Sequence, residues 1–128
     1  MKVFQDLFIR GTPEALYKTL VDIQKLLNRG WSRDCKSEKV MEDEVGKKYF
    51  IFRCDKKEGR PSVALFIVEK GPEEWKAANI VPKNTSLTYD QYNDILQEFT
   101  NNFVCPAASY YGVEITLTKS EESISCCC

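Results

Sequence analysis

The side chains best suited to chemistry in this chain are cysteines, since it has six of them and no histidine. Three of the six form a run at the end of the sequence: Cys126, Cys127 and Cys128. Consecutive residues leave little room for their thiolates to converge on one metal ion, and structural zinc sites leave two or more residues between cysteines. A CaaX lipidation signal would need cysteine at position 125, where the chain has Ser125. We therefore predict no metal site and a disordered, cysteine-ending tail over residues 120–128, with palmitoylation left open.

The absence of histidine also excludes most familiar catalytic machinery. Ser-His and Cys-His nucleophiles, histidine acid–base catalysis and His-containing zinc sites are ruled out. The glycine patterns GxxxxGK[ST] and GxGxxG, which cradle phosphates, are missing as well. The acidic clusters in MEDEVG and GPEEW are expected to face water, and Cys54 is expected to be an unreactive strand thiol. We predict no catalytic residue and no cofactor, so the chain is not expected to be an enzyme.

Two aromatic-rich stretches, NRGWSRD and EEWKAANIVPKNTSLTYDQYN, are better suited to binding another protein. Tryptophan, tyrosine and arginine dominate the energetics of protein interfaces. For Trp31 the alternatives are a structural role, in which it pins the end of the first helix onto the sheet, and stacking on a nucleic-acid base. The predicted partner-binding residues are Arg29, Trp31, Arg33, Trp75, Tyr89 and Tyr92. Of these, Trp31, Tyr89 and Tyr92 are expected to be exposed.

Charge and composition limit the partners further. The 128 residues carry a net charge of −1, which does not suit a general polyanion binder. Residues 1–64 hold 14 basic and 10 acidic residues, a balance of +4, whereas residues 65–128 hold 4 basic and 9 acidic residues, a balance of −5. Nonspecific nucleic-acid binding by the basic first half is therefore an alternative, but nucleic acid is not the expected partner.

The chain is expected to act in the cytoplasm, as a monomer or homodimer. Its first residues lack a signal-peptide pattern, and no apolar run approaches the length that spans a bilayer. The internal cysteines, Cys35, Cys54 and Cys105, are widely spaced and odd in number, which favours reduced thiols over a disulfide framework. No membrane partner is predicted.

The elements that must position these residues follow from hydrophobic periodicity. A strand is predicted from Lys2 to Arg10, followed by a helix that Thr12 caps, Pro13 opens and Gly30 closes. The next segment, to Lys48, predicts at most a short strand near Val40 and a turn at Gly46. Three strands follow, in YFIFRCD, SVALFIVEK and EWKAANIVP.

The last third of the chain predicts one more helix and one more strand. Thr88 and Gln91 form a capping box, and the apolar positions after it follow the helical period until Pro106 breaks or kinks the helix. VEITLTK alternates as a final strand. The order β-α-β-β-β-α-β predicts an α+β fold over a single domain, residues 1–119, with two main helices packed on one face of an antiparallel sheet of four to six strands.

Over roughly residues 8–118 the chain resembles a family of small uncharacterised bacterial cytoplasmic proteins of the immunity or defence-associated type. The resemblance rests on GTPEALYKTL, GWSRD and WKAANIVPKNTSLTYDQYNDILQEF. It implies a further helical, tryptophan-containing segment where this chain has ESISCCC, and so favours C-terminal truncation. It supplies no catalytic motif. It implies an accessory protein associated with toxin-immunity or defence loci.

The expected function is therefore protein–protein binding without catalysis, in the form of an immunity or antitoxin-like inhibitor. The alternative from another class is a small-ligand-binding domain or an enzyme that uses a carboxylate or thiol in a pocket between sheet and helices. A fragment that needs its missing C-terminal part for function is a further possibility, which an exposed apolar patch would indicate.

Overall fold

A computed structural model describes residues 3–55, 61–118 and 124–126 of the chain. Within these ranges seven strands form one open antiparallel sheet, in the order β2-β3-β4-β5-β1-β6-β7. The strands are β1 (Leu7–Arg10), β2 (Trp31–Arg33), β3 (Tyr49–Cys54), β4 (Val63–Gly71), β5 (Glu74–Pro82), β6 (Glu114–Thr118) and β7 (Ile124–Cys126). The predicted α+β class is confirmed, and the sheet is larger than the predicted four to six strands.

The helices are α1 (Pro13–Leu26), α2 (Cys35–Val45), α3 (Tyr89–Phe99) and the short α4 (Cys105–Ala108). A π-helical turn, Thr100–Val104, joins α3 to α4. This turn carries the helical path on to Pro106, which lies in the first turn of α4, so the chain does not break there. The alternative that the sequence left open, a kink, stays a prediction.

Side-chain caps fix where α1 and α3 begin, as the sequence predicted. Thr12 accepts a hydrogen bond from the backbone N–H of Ala15 at 3.2 Å. Thr88 and Gln91 form both bonds of the capping box, at 3.1 and 3.0 Å. The predicted end of α1 at Gly30 is wrong, because the helix stops at Leu26. Gly30 has a φ of 86°, and it instead supplies the left-handed conformation of the turn into β2.

Helix α2 is the element that the sequence did not predict, and the short strand expected near Val40 is wrong. Asp34 caps its start by accepting a hydrogen bond from the Ser37 N–H at 3.0 Å. Gly46, with a φ of 79°, closes its end as a left-handed cap. The helix follows directly after the short edge strand β2 and packs against β3.

One face of the sheet carries the hydrophobic core. Alternate residues of the strands, such as Leu7 and Ile9 on β1, pack against α1, α3, the π-helical turn and α4 in one continuous cluster. This confirms the prediction that the main helices share one face. On the opposite face, Phe8 and Phe66 are only partly buried.

The three strands of the predicted meander are confirmed as β3, β4 and β5, each paired to the next. Strand β1 begins at Leu7, whereas the sequence predicted a start at Lys2. Lys2 itself lies outside the described residues. It lies between β5 and β6, so the strands predicted as first and last are neighbours. The sequence had left that order open.

Two predictions about the cysteine-ending tail and the thiols need correction. Ile124–Cys126 pairs with β6 as an edge strand, so disorder is wrong for these three residues, while the rest of the predicted tail lies outside the described residues. Cys35 and Cys54 are reduced thiols, as predicted. Cys105 is disulfide-bonded, contrary to the prediction of a reduced thiol.

Candidate functional site

The six residues predicted to bind a partner fall in two separate places. Arg29, Trp31 and Arg33 lie in β2 or in the turn before it, and Trp75 lies on β5, where it lines one groove together with Arg33. Tyr89 and Tyr92 lie in the first turn of α3. The structure therefore does not bring the six together as one surface.

The tryptophans are core residues. Trp31 is 5% exposed and Trp75 is 4% exposed, so the expectation of an exposed Trp31 is wrong. The Trp31 ring packs 4.9 Å from the Phe99 ring, and its indole N–H donates to the Glu98 carboxylate at 3.0 Å. Trp31 thus joins β2 to α3, which agrees with the structural alternative for this residue.

Arg33 is held by a largely buried ion pair that has a structural purpose. Its guanidinium donates to both carboxylate oxygens of Glu38, at 2.8 and 2.7 Å, and lies 4.4 Å from the centre of the Phe50 ring. The pair raises the pKa of Arg33. Glu38 also accepts from the backbone N–H of Ile51 at 3.0 Å, which fixes α2 against β3. Arg29 is exposed in the turn before β2, with a φ of 54°.

A groove of about 530 Å³ lies beside this ion pair, with Phe50 and Trp75 among its lining residues and Tyr17 on α1. Its strongest polar groups already satisfy one another, because Arg33 bonds to Glu38 and to Gln24 at 3.1 Å. An incoming ligand would have to compete with these internal hydrogen bonds.

The second place holds a cluster of partly exposed aromatic rings. Phe4 is 46% exposed and Tyr89 is 44% exposed, and their ring centres are 4.3 Å apart. The Phe4 ring also lies 4.7 Å from that of Tyr92, which is only 8% exposed. The expectation of an exposed Tyr92 is therefore wrong, whereas Tyr89 is exposed as expected. Aromatic rings at these separations support one another beyond the area that they bury.

Two of these rings, Phe4 and Tyr92, line a groove of about 450 Å³ between the segment before β1, strand β5 and the loop before α3. We call it the Phe4 groove, and its lining residues are Phe4, Asp6, Asn79, Ile80, Val81, Pro82, Thr85, Ser86, Leu87 and Tyr92. Val81, on its β5 wall, is 44% exposed. Large apolar side chains from three parts of the chain thus converge on one concave surface.

A buried amide holds Phe4 in place. Asn93 is 4% exposed, accepts a hydrogen bond from the Gln5 N–H at 2.8 Å and donates to the Val3 carbonyl at 3.0 Å. These two backbone groups flank Phe4. The Gln5 side chain is fixed in turn, since it accepts from the Gln97 amide at 2.6 Å. The hydrogen bonds of Asn93 therefore fix the backbone on both sides of Phe4, and so hold its exposed ring in one position.

Five of the ten residues that line the Phe4 groove carry polar side-chain groups: Asp6, Asn79, Thr85, Ser86 and Tyr92. The Asp6 carboxylate lies 3.6 Å from the Lys76 ammonium. Burial raises the pKa of Tyr92, and the nearby Asp6 charge raises it further, so its hydroxyl stays protonated at neutral pH. A neutral phenol and a paired carboxylate favour contact and hydrogen bonding over proton transfer at this position.

Sequence reasoning missed Phe4 and Asn93. Phe4 was assigned to a strand, and the strand begins only at Leu7. Asn93 did carry a signal, because it is a polar residue beside Tyr92, Ile95 and Leu96 on the buried side of α3. A polar residue on such a side requires hydrogen-bond partners, and here those partners determine where Phe4 lies.

The described residues contain neither a metal-binding cluster nor a membrane-spanning helix. Among the described residues, no group of three or more cysteine, aspartate or glutamate side chains could hold a metal ion. No helix in the described ranges has the length and apolar character needed to cross a membrane.

Comparison with known proteins found no matching family model, no matching curated protein and no matching solved structure. The resemblance to small bacterial immunity-type proteins therefore stays a prediction.

Proposed function

We propose that this chain is a non-enzymatic cytoplasmic protein that binds another protein through the Phe4 groove, as an immunity or antitoxin-like inhibitor. The observation that carries the proposal is the pairing of an exposed phenylalanine with the buried amide of Asn93 that fixes it. Exposed aromatic residues held in one conformation bind partners with little loss of conformational entropy.

The composition of the patch supports a protein partner. Tyrosine is enriched among interface hot spots, and such residues cluster around pockets that exclude water. In the described part of the chain, Phe4, Val81 and Tyr89 are three of eight exposed large hydrophobic residues. Phe4 and Val81 line this groove, and the Tyr89 ring contacts Phe4. Exposed apolar side chains that converge are more informative than the same number scattered singly.

The other classes of function have less support. The carboxyl group with a large pKa shift is Asp34, whose pKa of about 2 reflects its hydrogen bonds to Arg53 and Ser37. Such a group is a poor acid or base at neutral pH. Cys54 is buried in the core. For nucleic acid, basic residues of the first half such as Arg10, Lys18 and Lys25 are already paired with carboxylates.

The proposal is tested with Phe4→Ala, Tyr89→Ala and a matched control, Tyr110→Ala. Tyr110 is 82% exposed and does not line the Phe4 groove, so its loss should leave binding unchanged. We expect the tagged wild-type chain and Tyr110→Ala to retain one stoichiometric partner from native host extract. Phe4→Ala should lower the affinity for that partner by about 30-fold, a hot-spot loss of roughly 2 kcal/mol.

The inhibitory role has its own readout. The retained partner, expressed alone, should arrest growth, and co-expression of the wild-type chain should restore it, while Phe4→Ala should not. Asn93→Ala should behave like Phe4→Ala, because it releases the backbone on both sides of Phe4. Equal retention of the partner by Phe4→Ala and wild type, with both folded by circular dichroism, would place the binding surface elsewhere.

A further inference from the structure

Strand β5 lacks a strand neighbour on one side where it borders the Phe4 groove. Over Glu74–Lys76 it pairs with β1, whereas from Ala77 to Pro82 it pairs with β4 alone among the described strands. The register of the β4 pairing skips Ala78, so β5 bulges close to the point where β1 departs. The end of β5, from Asn79 on, therefore presents an open strand edge within the sheet.

The segment that would have continued β1 along this edge makes its backbone hydrogen bonds elsewhere. The Asp6 N–H donates to the Thr118 hydroxyl at 2.8 Å, and the Asp6 carbonyl accepts from the Thr118 N–H at 2.9 Å. The Gln5 N–H and the Val3 carbonyl both bond to the Asn93 side chain. These bonds tie the segment to β6 and α3, and so they leave the end of β5 without its β1 partner.

The backbone of Ile80 shows that the open edge faces the groove. The Lys83 N–H donates to the Ser62 carbonyl beside β4 at 2.9 Å, and because backbone groups alternate in direction along a strand, those of Ile80 face away from β4. The Ile80 N–H donates to the side-chain oxygen of Asn79 at 2.9 Å. It also bonds to the Tyr92 hydroxyl, which partly offsets the rise that burial causes in the pKa of Tyr92.

Asn79 occupies the place that a neighbouring strand would take. Unpaired strand edges pair readily with other chains, and natural proteins protect them with residues such as proline. Here Pro82 has no N–H to offer, and the Asn79 oxygen covers the N–H of Ile80. Asn79 is exposed, so its amide can rotate away and a carbonyl of an incoming strand can replace it, one hydrogen bond for another.

The side chains around this edge suit an uncharged segment. The Asp6 carboxylate is already paired with Lys76 at 3.6 Å. Thr85 and Ser86 are exposed neutral side chains that both donate and accept hydrogen bonds, as a peptide backbone requires. Lys83 is an exposed cation that follows the end of β5, and it is not among the residues that line the groove.

We infer that the Phe4 groove receives an extended, uncharged segment of the partner protein, which pairs with the open edge of β5 and accepts the Ile80 N–H. This inference rests on the proposed function and adds the conformation and charge of the segment that binds. In this mode of recognition, main-chain hydrogen bonds supply affinity, and contacts to alternate side chains supply specificity. Phe4 and Val81, both exposed at the groove, provide those contacts.

The test uses synthetic peptides of seven alternating valine and threonine residues with a neutral fluorescent label. One peptide is unmodified, and two others are N-methylated at the odd or at the even backbone amides, which blocks strand pairing on one edge or the other. By fluorescence anisotropy, the wild-type chain should bind the unmodified peptide at least about tenfold more tightly than one of the methylated peptides. Its affinity should change less than about threefold between 50 and 500 mM salt, and Lys83→Ala should bind like the wild type.

Hydrogen exchange locates the added strand. Saturating unmodified peptide should slow exchange of the Ile80 amide by at least about tenfold and leave the Lys83 amide, already bonded to Ser62, unchanged. In Asn79→Ala the free chain should exchange its Ile80 amide faster, and the peptide should restore protection. Because the Asn79 cap is displaced on binding, this variant should bind the peptide at least as tightly as the wild type.

The outcomes separate this inference from the proposal beneath it. If both methylated peptides bind as tightly as the unmodified one, or if Ile80 gains no protection, strand pairing is wrong even where Phe4→Ala abolishes binding and the groove stands. If the unmodified peptide does not bind up to about 1 mM, or binds Phe4→Ala equally well, the inference is overturned. The proposed function is then decided separately, by whether Phe4→Ala still retains the partner from host extract.

Discussion

At the scale of single residues, a buried polar side chain fixes the position of an exposed aromatic ring. Leaving an amide such as that of Asn93 buried costs free energy unless its hydrogen bonds are made. Its two bonds could have served the core, but they fix the backbone on either side of Phe4. The same residue thus links the stability of α3 to the position of a ring that water can reach, which is the arrangement that a preformed binding site requires.

Asp34 both caps α2 and pairs with Arg53, and from this we predict how the stability of the fold depends on pH. Its pKa is about 2 in the folded chain, below the ordinary value of 3.8. Because the pKa is lowered, the ion pair stabilises the fold fully above about pH 4, and this stabilisation is lost as the pH falls through 2. Because the Arg53 side chain is about half exposed, we expect a contribution of about 1 kcal/mol.

The matched variants for Asp34 are Asp34→Asn and Asp34→Ala. Asparagine caps a helix as well as aspartate does, so Asp34→Asn removes the charge and keeps the cap. Urea unfolding should show it about 1 kcal/mol less stable than the wild type at pH 7, with the difference shrinking as the pH falls from 4 through 2. Asp34→Ala should cost about 1 kcal/mol more at every pH, because the cap is lost too. A constant difference between Asp34→Asn and wild type from pH 7 to 2 would contradict this account.

At the scale of elements, α2 shows why part of the fold was hidden from the sequence. Its hydrophobic side is weak, and Val40 and Val45 are exposed. Glu38 is the buried residue of the helix, so periodicity of apolar residues could not identify it. The usable signals were the cap at Asp34 and the glycine at position 46. By contrast, α1 and α3 each have an N-terminal cap as well as an apolar stripe, and the sequence predicted both helices.

Glu38 holds α2 in position by accepting a hydrogen bond from β3 at a point where β2 has already ended. Strand β2 ends at Arg33, and the Glu38 carboxylate then accepts from the Ile51 N–H on β3. Removing one partner of a buried ion pair typically costs about 3–5 kcal/mol. Since this pair keeps some contact with water, we expect Glu38→Ala to cost about 2–3 kcal/mol.

Hydrogen exchange gives the sharper measurement of this arrangement. The Ile51 amide should lose protection in Glu38→Ala and keep part of it in Glu38→Gln, whose side-chain oxygen can still accept. Glu42→Gln, one turn further along α2 and exposed, should change stability by less than about 0.5 kcal/mol. Unchanged Ile51 protection in Glu38→Ala would mean that β3 does not depend on this carboxylate.

At the scale of the whole molecule, local patterns predicted the class of fold but not the arrangement that creates the groove. Alternation and caps identified β3 to β6 and the two main helices. That β1 lies between β5 and β6 depends on pairings across the length of the chain, which no local pattern encodes. The Phe4 groove exists because of that order, since it places the residues before β1 beside β5 and α3.

The predicted single domain can be tested with the two tryptophans, which lie in one continuous core cluster but on different strands. Trp31→Phe and Trp75→Phe each leave one buried reporter, on β5 or β2 respectively. In each variant, urea unfolding followed by tryptophan emission should coincide with unfolding followed by far-UV circular dichroism. Coincidence is expected because a shared core unfolds cooperatively. In Trp75→Phe, whose remaining reporter is Trp31 on β2, the fluorescence transition could instead fall at a lower urea concentration than the circular dichroism transition. In that case α2 and the strands beside it would form a separate, less stable unit, and the single-domain prediction would be wrong.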